Sequence, residues 1–349
     1  MSTVFICRDF ALDPALDTIA AALVQRGIEV IRGPRSIPGQ KHVYPPESHA
    51  ELFGPCDVLM FSSRSVGSRA TMLAAPRCRA IVNPTIGLET VDLAAADQLG
   101  IVVGHGAVPE NYLGIAEAAV MLMLALRYGL HASEAVLRGT RPAPGFRAEA
   151  VHARMLRGCT VGIVGLGRIG RAVAERLQPF GVDVIACSPT TQPQDVPAGV
   201  RLVELDTLLE QSDIVGLFAS VNAGNRHMID ERALGRMKPD AYLVNVARGA
   251  LVDEEALDRA LRSGRLAGAA LDTFEVEPLP QDSPLRELDN VILTPHMVGV
   301  TRESIEAVVP TALENITRVL SGALPLYCKN PYILPRWRER LAQLAAQAS

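Results

Sequence analysis

Three glycines spaced as Gly165-x-Gly167-x-x-Gly170 stand inside Val161-Gly-Ile-Val-Gly-Leu-Gly-Arg-Ile-Gly170, between an apolar run and an amphipathic one. Each has a chemical reason to lack a side chain. The first permits a tight turn out of a strand, the second lets the backbone approach a pyrophosphate, and the third lets the next helix pack on the strand. The helix N-terminus then turns its amides toward the phosphates. Glycine triplets also arise by chance; a strand before and a helix after are the context that marks this one as a dinucleotide cradle. Arg168 and Ile169, between the second and third glycines, join the glycines as candidate cofactor contacts. Such a cradle ordinarily has an acid at the end of the next strand, about 20 residues on, for the adenosine ribose hydroxyls. Here that strand is Val182–Cys187 and the position holds Ser188, while Asp183 near its start reads as a solvated turn residue. An acid there would repel the 2′-phosphate of NADP and an arginine would favour it. With neither in place the cofactor reads as NAD or NADP, leaning to NAD for want of the arginine.

The elements that must position this turn show as alternating apolar runs and helical stretches. Val4–Cys7, Ile28–Ile31, Val58–Phe61, Ala80–Asn83 and Ile101–Val103 read as buried strands, with helices at Leu16–Arg26 and Val91–Gln98. A long apolar helix, Tyr112–Leu130, and a loop from Arg138 to Phe146 follow. The alternation then restarts with strands at Thr160–Val164, Val182–Cys187, Ile214–Phe218, Tyr242–Val246, Ala267–Leu271 and Val291–Leu293. Helices are expected at Arg171–Phe180, Leu205–Gln211, Glu231–Met237 and Glu254–Ser263, the last capped by Asp253 and ended by Gly264. Six strands with right-handed crossovers meet the needs of a dinucleotide-binding domain. The tail from Arg302 is helical, and part of it is expected to return to the first domain.

Size and composition narrow the function. A chain of 349 residues exceeds the usual single domain, and a net charge of −4 gives no reason to expect nucleic acid or an anionic membrane as partner. The six cysteines form no C-x-x-C pair and none sits near a histidine at zinc spacing, so no metal site is expected. Scattered thiols on an α/β chain fit a reducing compartment. Neither a signal peptide nor a run long enough to span a bilayer is visible, which places the protein in the cytoplasm.

From about Val58 to Thr301 the chain resembles the D-isomer-specific 2-hydroxyacid dehydrogenases. The resemblance rests on Ala80-Ile-Val-Asn-Pro-Thr-Ile-Gly-Leu-Glu-Thr-Val-Asp92, the glycine turn, Met237-Lys-Pro-Asp-Ala-Tyr-Leu-Val-Asn-Val-Ala-Arg-Gly-Ala-Leu-Val-Asp253, and Leu271-Asp-Thr-Phe-Glu-Val-Glu-Pro278 with Leu293-Thr-Pro-His-Met297. It implies that Arg248 grips a substrate carboxylate and polarises the neighbouring carbonyl, which a planar guanidinium suits. It implies that His296 is the acid and base of the reaction, since reducing a ketone needs a proton donor that titrates near neutrality. Glu277 resembles the carboxylate that orients this imidazole, and Asp272 the residue that binds the nicotinamide carboxamide; Ala247, beside Arg248, is a further cofactor contact. Ile86 and Gly87 match the loop whose amides hold the substrate carboxylate. Asn111 and Glu117 match the start of an interdomain helix, Glu117 as a structural residue, and His105 either lines the pocket or is a satisfied linker histidine.

Two departures from the resemblance stand out. Phe218-Ala-Ser220 replaces a His-x-Pro on the cofactor side, and Ser62-Ser63-Arg64 replaces the usual Arg-Ser, leaving few basic groups for a phosphorylated substrate such as phosphoglycerate.

The expectation is an α/β protein of two doubly wound parallel-sheet domains, with the active site in the cleft between them. One is a Rossmann-type cofactor domain over 107–298; the other is a flavodoxin-like, discontinuous substrate domain over 1–106 and 299–349. The partners expected are a small 2-oxo or 2-hydroxy acid and, from the resemblance, a second copy in a homodimer. The alternatives are a non-catalytic NAD(H)-sensing corepressor-like protein, which an intact Arg, Glu and His disfavour, and a formate or phosphite dehydrogenase, which a carboxylate-gripping Arg248 disfavours.

Overall fold

The computed structural model describes residues 1–10, 12–37, 40–140, 142 and 153–348; of the expected loop at 138–146, residues 141 and 143–146 lie outside them. The chain forms two compact units, Met1–Glu110 with Arg302–Ser349, and Asn111–Thr301.

Unit 1 is built on strands β1 (Thr3–Ile6), β2 (Glu29–Arg32), β3 (Val58–Met60), β4 (Ala80–Val82) and β5 (Val102–Gly104). All are parallel, in the order β2-β1-β3-β4-β5. This is the flavodoxin-like winding, whose order reverses between β1 and β3. Helices cover both faces, so β1, β3, β4 and β5 are buried along their whole length and read as unbroken apolar runs. The helices are α1 (Asp13–Gln25), α2 (His49–Phe53), α3 (Arg69–Leu73) and α4 (Leu93–Leu99). Asp92 caps α4 by accepting from the Ala95 amide at 2.9 Å, and Gly100, at φ +67°, ends it. The five-residue α2 and α3 are too short to leave a periodic signal, and the sequence reading passed over both.

Unit 2 opens with α5 (Pro109–Arg127) and α6 (Leu130–Leu137). The helix expected to reach Leu130 ends at Arg127, and a second, unanticipated helix begins at Leu130, bent by 60° from the first across Gly129 at φ +58°. Ala116, Ala119, Leu122, Met123 and Leu126 of α5 pack into the core beneath the sheet. Among the described residues no single helix is long and apolar enough to cross a membrane.

The sheet follows, as β6 (Thr160–Val164), α7 (Arg168–Leu177), β7 (Asp183–Cys187), β8 (Val200–Leu202), α8 (Leu205–Gln211), β9 (Ile214–Leu217), α9 (Glu231–Arg236), β10 (Tyr242–Asn245), α10 (Glu254–Arg262), β11 (Gly268–Leu271) and β12 (Val291–Leu293). Its parallel order, β12-β11-β10-β9-β6-β7-β8, is a Rossmann winding with one added strand. Seven strands thus replace the expected six. The strand not anticipated is β8, which lies at the sheet edge with an exposed arginine at its centre and so lacks an apolar run; the strand added to the Rossmann six is β12. Helix α7 starts at Arg168, directly after the last turn residue, and stops at Leu177 because Pro179 cannot continue it. Asp253 caps α10 through the Ala256 amide at 2.9 Å, and Gly264 follows at φ +70°.

The chain then returns to unit 1 as α11 (Arg302–Leu320) and α12 (Leu334–Ala348). Ala312, Ile316 and Val319 of α11 and Trp337 of α12 complete the core of this unit, with α11 lying against α1 and β4. Between them Cys328 bridges Gly104 in antiparallel fashion, and Asn330 Oδ1 accepts from the Val103 amide at 2.8 Å, closing the β5 edge.

Candidate active site

The carboxyl edge of the unit 2 sheet carries the site, and it starts at β6. Gly165 sits at φ +96°, and a Cβ there would lie 2.5 Å from the Ala219 amide nitrogen. The Phe218–Ser220 segment thus presses directly on the turn. A Cβ on Gly170 would lie 2.2 Å from the Gly165 carbonyl oxygen, so α7 packs against the turn only because residue 170 is glycine. Around Gly167 there is open space to 4 Å, and Gly167 begins α7 with no side chain capping it. The turn is therefore tight where it meets protein and open where a pyrophosphate would lie, and the uncapped helix end offers the amides of its first turn. Arg168 is exposed and Ile169 half-buried on that turn. At the end of β7, Ser188 Oγ accepts from Thr191 Oγ1 at 2.9 Å, while Asp183, at the far end of the strand, is exposed and pairs with Arg201 at 3.6 Å.

At the end of β10 the buried Asn245 shapes the next loop. Its Oδ1 accepts from the Ala247 amide at 3.0 Å, and its Nδ2 donates to the Arg248 carbonyl at 3.0 Å. Arg248 in turn donates from Nη1 to the Ala247 carbonyl at 2.7 Å. Gly249 lies so close to the next crossover that a Cβ would fall 1.9 Å from the Phe274 carbonyl carbon. Any side chain at 249 would push the Arg248 loop away from the segment that carries Glu277.

Asp272, just beyond β11, is buried, and its Oδ1 accepts from Thr294 Oγ1 at 2.7 Å and from the Met297 amide at 2.9 Å. It thereby ties down the loop after β12 on both sides of His296, whose φ of +54° is held by those ties. Burial pushes the Asp272 carboxyl above the usual range, and these hydrogen bonds with the His296 charge only partly offset it. His296 Nδ1 lies 2.8 Å from Glu277 Oε2, and Glu277 Oε1 accepts from the Phe274 amide at 3.1 Å. Burial acts to raise the Glu277 carboxyl as well. There the hydrogen bond and charge of His296, the Phe274 amide and the charge of Arg248 prevail and hold it below the usual range. Arg248, Glu277 and His296 thus share one electrostatic neighbourhood, with the imidazole Nε2 as the nitrogen not turned to Glu277.

In unit 1 the loop after β4 hangs on the buried Asn83. Its Oδ1 accepts from the Thr85 amide and hydroxyl, each at 2.9 Å, and its Nδ2 donates to the Gly87 carbonyl at 2.8 Å. The Ile86 and Gly87 amides donate to no acceptor among the described residues. His105 Nδ1 lies 3.4 Å from the Ile86 carbonyl, as a linker histidine with partners would. Arg64 donates to both oxygens of the fully buried Asp9, at 3.2 and 3.3 Å, and lies over the Phe10 ring at 4.9 Å. Asn111 donates to the Gly299 carbonyl at 3.3 Å, and Glu117 pairs with Arg176 at 3.1 Å on the surface. Among the described residues no cluster of His, Cys, Asp or Glu is arranged to hold a metal ion.

Sequence reasoning overlooked Asn83, Asn245 and Thr294. The available signal was an asparagine closing an apolar strand immediately before a loop of candidate residues, since asparagine readily hydrogen-bonds the backbone just beyond itself.

Sheet order and glycine cradle together define the class, a dinucleotide-binding α/β fold. Residues 120–298 match the D-isomer specific 2-hydroxyacid dehydrogenase, NAD binding domain. A glyoxylate reductase of Thermofilum pendens is 37% identical over 75% of this chain and 78% of its own length. Another, of Korarchaeum cryptofilum, is 33% identical over 88% of this chain and 93% of its own. A glyoxylate reductase structure from Paecilomyes thermophila is 25% identical and superposes with a TM-score of 0.81, covering 94% of this chain and 98% of that one. The chain belongs to the D-isomer specific 2-hydroxyacid dehydrogenase family, a family of NAD-binding oxidoreductases.

Proposed function

We propose that the protein is a D-2-hydroxyacid dehydrogenase that reduces a small 2-oxo acid, with His296 as acid and base, Glu277 as its partner and Arg248 as the group that binds and polarises the substrate. The observation that carries this reading is the 2.8 Å His296–Glu277 pair, on a loop fastened by Asp272 and within reach of the Arg248 charge.

Unit 1 is the substrate domain in this reading, and the amides of Ile86 and Gly87 receive the substrate carboxylate. Arg248 adds a planar cation whose two parallel donors suit a carboxylate and the adjacent carbonyl oxygen. A bound nicotinamide cofactor supplies the hydride. Glu277, ionised through the neutral range, keeps Nδ1–H pointed at itself, so that the Nε2 proton of His296 goes to the carbonyl oxygen; in the reverse direction neutral His296 accepts it. The glycine turn, Arg168, Ile169, Ser188, Ala247 and Asp272 hold the cofactor. Asp272 donates nothing when ionised, so it accepts from the carboxamide NH₂ with whatever capacity Thr294 and Met297 leave.

Two choices within this reading follow from charge. The Ser188–Thr191 hydroxyl pair brings no cation for a 2′-phosphate, which favours NAD over NADP. Arg64 is already neutralised by Asp9, which favours a substrate without a second anionic group; relatives named glyoxylate reductases fit that small size. Six free thiols suit a cytoplasmic setting, and the exposed Met121, Tyr128, Leu130 and Leu137 on and around α5 and α6 suit the cover of a second copy in a homodimer.

The test is a panel of 2-oxo acids with both reduced cofactors, followed by loss of absorbance, beside the His296→Gln variant. Turnover with short, singly charged acids is expected. His296→Gln is expected to lose on the order of 10²–10⁴-fold in kcat with cofactor affinity retained. Wild-type turnover in that variant would refute the proton donor, and cofactor binding without turnover of any acid would refute the activity.

A further inference from the structure

Segment Phe274–Pro278 carries two glutamates, and each faces a histidine. Glu277 Oε2 is 2.8 Å from His296 Nδ1, and Glu275 Oε2 is 3.0 Å from His227 Nε2. The two histidines share a further property. Among the described residues they are the non-glycine positions with positive φ, +50° at His227 and +54° at His296. Such a backbone persists in an ordinary residue only where its surroundings hold it. The second pair is a charge contact and not an aligned hydrogen bond, and Arg226 reaches the same Glu275 oxygen at 3.5 Å.

Glu275 also exchanges hydrogen bonds with the start of α10. Its Oε1 accepts from the Glu254 amide at 3.2 Å, while Glu254 Oε1 accepts from the Glu275 amide at 2.5 Å. His227 is in turn stitched to the strip between Arg248 and α10. Its amide donates to the Ala250 carbonyl at 2.8 Å, the Ile229 amide donates to Leu251 at 3.0 Å, and Ile229 bridges Val252. Gly249 closes the frame by its contact with the Phe274–Glu275 peptide. The loops bearing Arg248 and Glu277 are therefore fastened to one lattice, whose knots are Glu254, Glu275 and His227. The charged groups facing it are Arg226 and His227 at Glu275, Glu275, Glu277 and His227 at Glu254, and His296 and Arg248 at Glu277.

We propose that Glu254, Glu275 and His227 are positioning residues that hold the Glu277 carboxylate against His296 and so set the proton-transfer geometry. This rests on the assignment of Glu277 and His296 as the acid–base pair. The lattice acts through a reciprocal pair, in which the amides of Glu254 and Glu275 each donate to the other residue's carboxylate. Loss of the Glu275 carboxylate frees the segment two residues before Glu277 and leaves Arg226 without this ion-pair partner.

The experiment compares Glu275→Ala, Glu275→Gln and His227→Gln with wild type in kcat, KM, the pH profile of kcat/KM, and NADH binding by fluorescence. Misplacement of a reacting group by about 1 Å costs on the order of 10²-fold, and Glu275→Ala is expected to lose kcat to that extent. KM and NADH affinity should hold while the pH profile moves. Glu275→Gln keeps the Oε1 acceptor and should recover most of kcat, with the profile still displaced. Should Glu275→Ala fail to fold, His227→Gln reads the same displacement. A wild-type kcat and pH profile in the folded variants, whatever their melting temperature, would reduce the lattice to a structural role and overturn the proposal. His296→Gln, assayed alongside, separates the two readings. Full turnover there removes the acid–base assignment itself, whereas its inactivity beside a wild-type Glu275→Ala removes the lattice alone.

Discussion

The ends of β4 in unit 1 and β10 in unit 2 use the same device for different purposes. Asn83 and Asn245 are both buried at the close of an apolar strand, and each Oδ1 accepts from the amide two residues on, at 2.9 and 3.0 Å. Each Nδ2 then donates to a carbonyl further along, that of Gly87 at 2.8 Å or of Arg248 at 3.0 Å. A side chain thus does the work that no ladder can do past a strand end, and fixes a loop at the edge where open α/β sheets bind ligands. What each knot displays is different. The Asn83 loop presents backbone amides, and in the same unit Arg64 is engaged by Asp9. Around Asn245 the knot ends in Arg248, whose charge reaches the Glu277–His296 pair. Under the proposed function, recognition by neutral backbone falls to unit 1 and charge-driven chemistry to unit 2.

The largest test of that division is Arg248→Lys. Charge is kept while the planar fork is lost, and the lysine cannot span a carboxylate and a carbonyl together. A loss in kcat/KM on the order of 10²–10³-fold is expected, the scale of removing one preorganised donor at a developing oxyanion. Retention of activity would show that charge alone suffices and that the Asn245 knot has no geometry to protect. Next come the knots themselves. Each asparagine replaced by alanine leaves a buried amide without its acceptor, worth about 1–3 kcal/mol, so effects of about tenfold or more are expected. The two should differ in kind. Asn83→Ala is expected to raise KM for the 2-oxo acid, and Asn245→Ala to lower kcat. Steady-state kinetics on both decide it, and a fall in kcat alone for Asn83→Ala would erase the contrast.

Much of this was legible in the residues, and what was not has physical causes. Runs such as Thr160–Val164 and Ile214–Leu217 are buried on both faces and announce themselves by composition. The glycine turn is equally explicit, because three positions there admit no side chain or need an open face. Strand β8 was hidden because an edge strand of Val200-Arg-Leu202 buries too little to need an apolar pattern. Helix α6 was hidden because none of its residues is buried, so it carries no apolar stripe to read. Asn83 and Asn245 left no periodicity, since a side chain that bonds its own loop obeys no helix or strand repeat. The Glu275–His227 contact joins residues on separate crossovers, a relation that only folding creates. Arg248, Glu277 and His296 were singled out through a family resemblance, and the fold brings the three into one field.

The smallest effects, and the finest test, lie in two carboxyls on either side of the His296 loop. Glu277 is held below the ordinary carboxylate range, so its contribution to stability is present above that range and lost as pH falls through the depressed value. Asp272 is pushed above the range by burial, so its ionisation costs the folded state, and this cost grows as pH rises from the ordinary value through the raised one. Glu277→Gln should therefore melt below wild type at neutral pH, with the gap closing in acid. Asp272→Asn keeps an Oδ1 for Thr294 and Met297 while shedding the buried charge, so it should melt level with or above wild type at neutral pH, that gap also closing in acid. Melting curves of the three proteins from acid to neutral pH read both signs at once. Opposite signs would mean that the loop carries one carboxylate kept ionised by its histidine and another kept in place at a cost to stability. A carboxylate retained at such a cost needs a task, and under the proposed function that task is acceptance from the nicotinamide carboxamide. If Asp272→Asn instead melts below wild type at every pH, its contacts to the loop outweigh its charge, and its place in the site is that of a fastener alone.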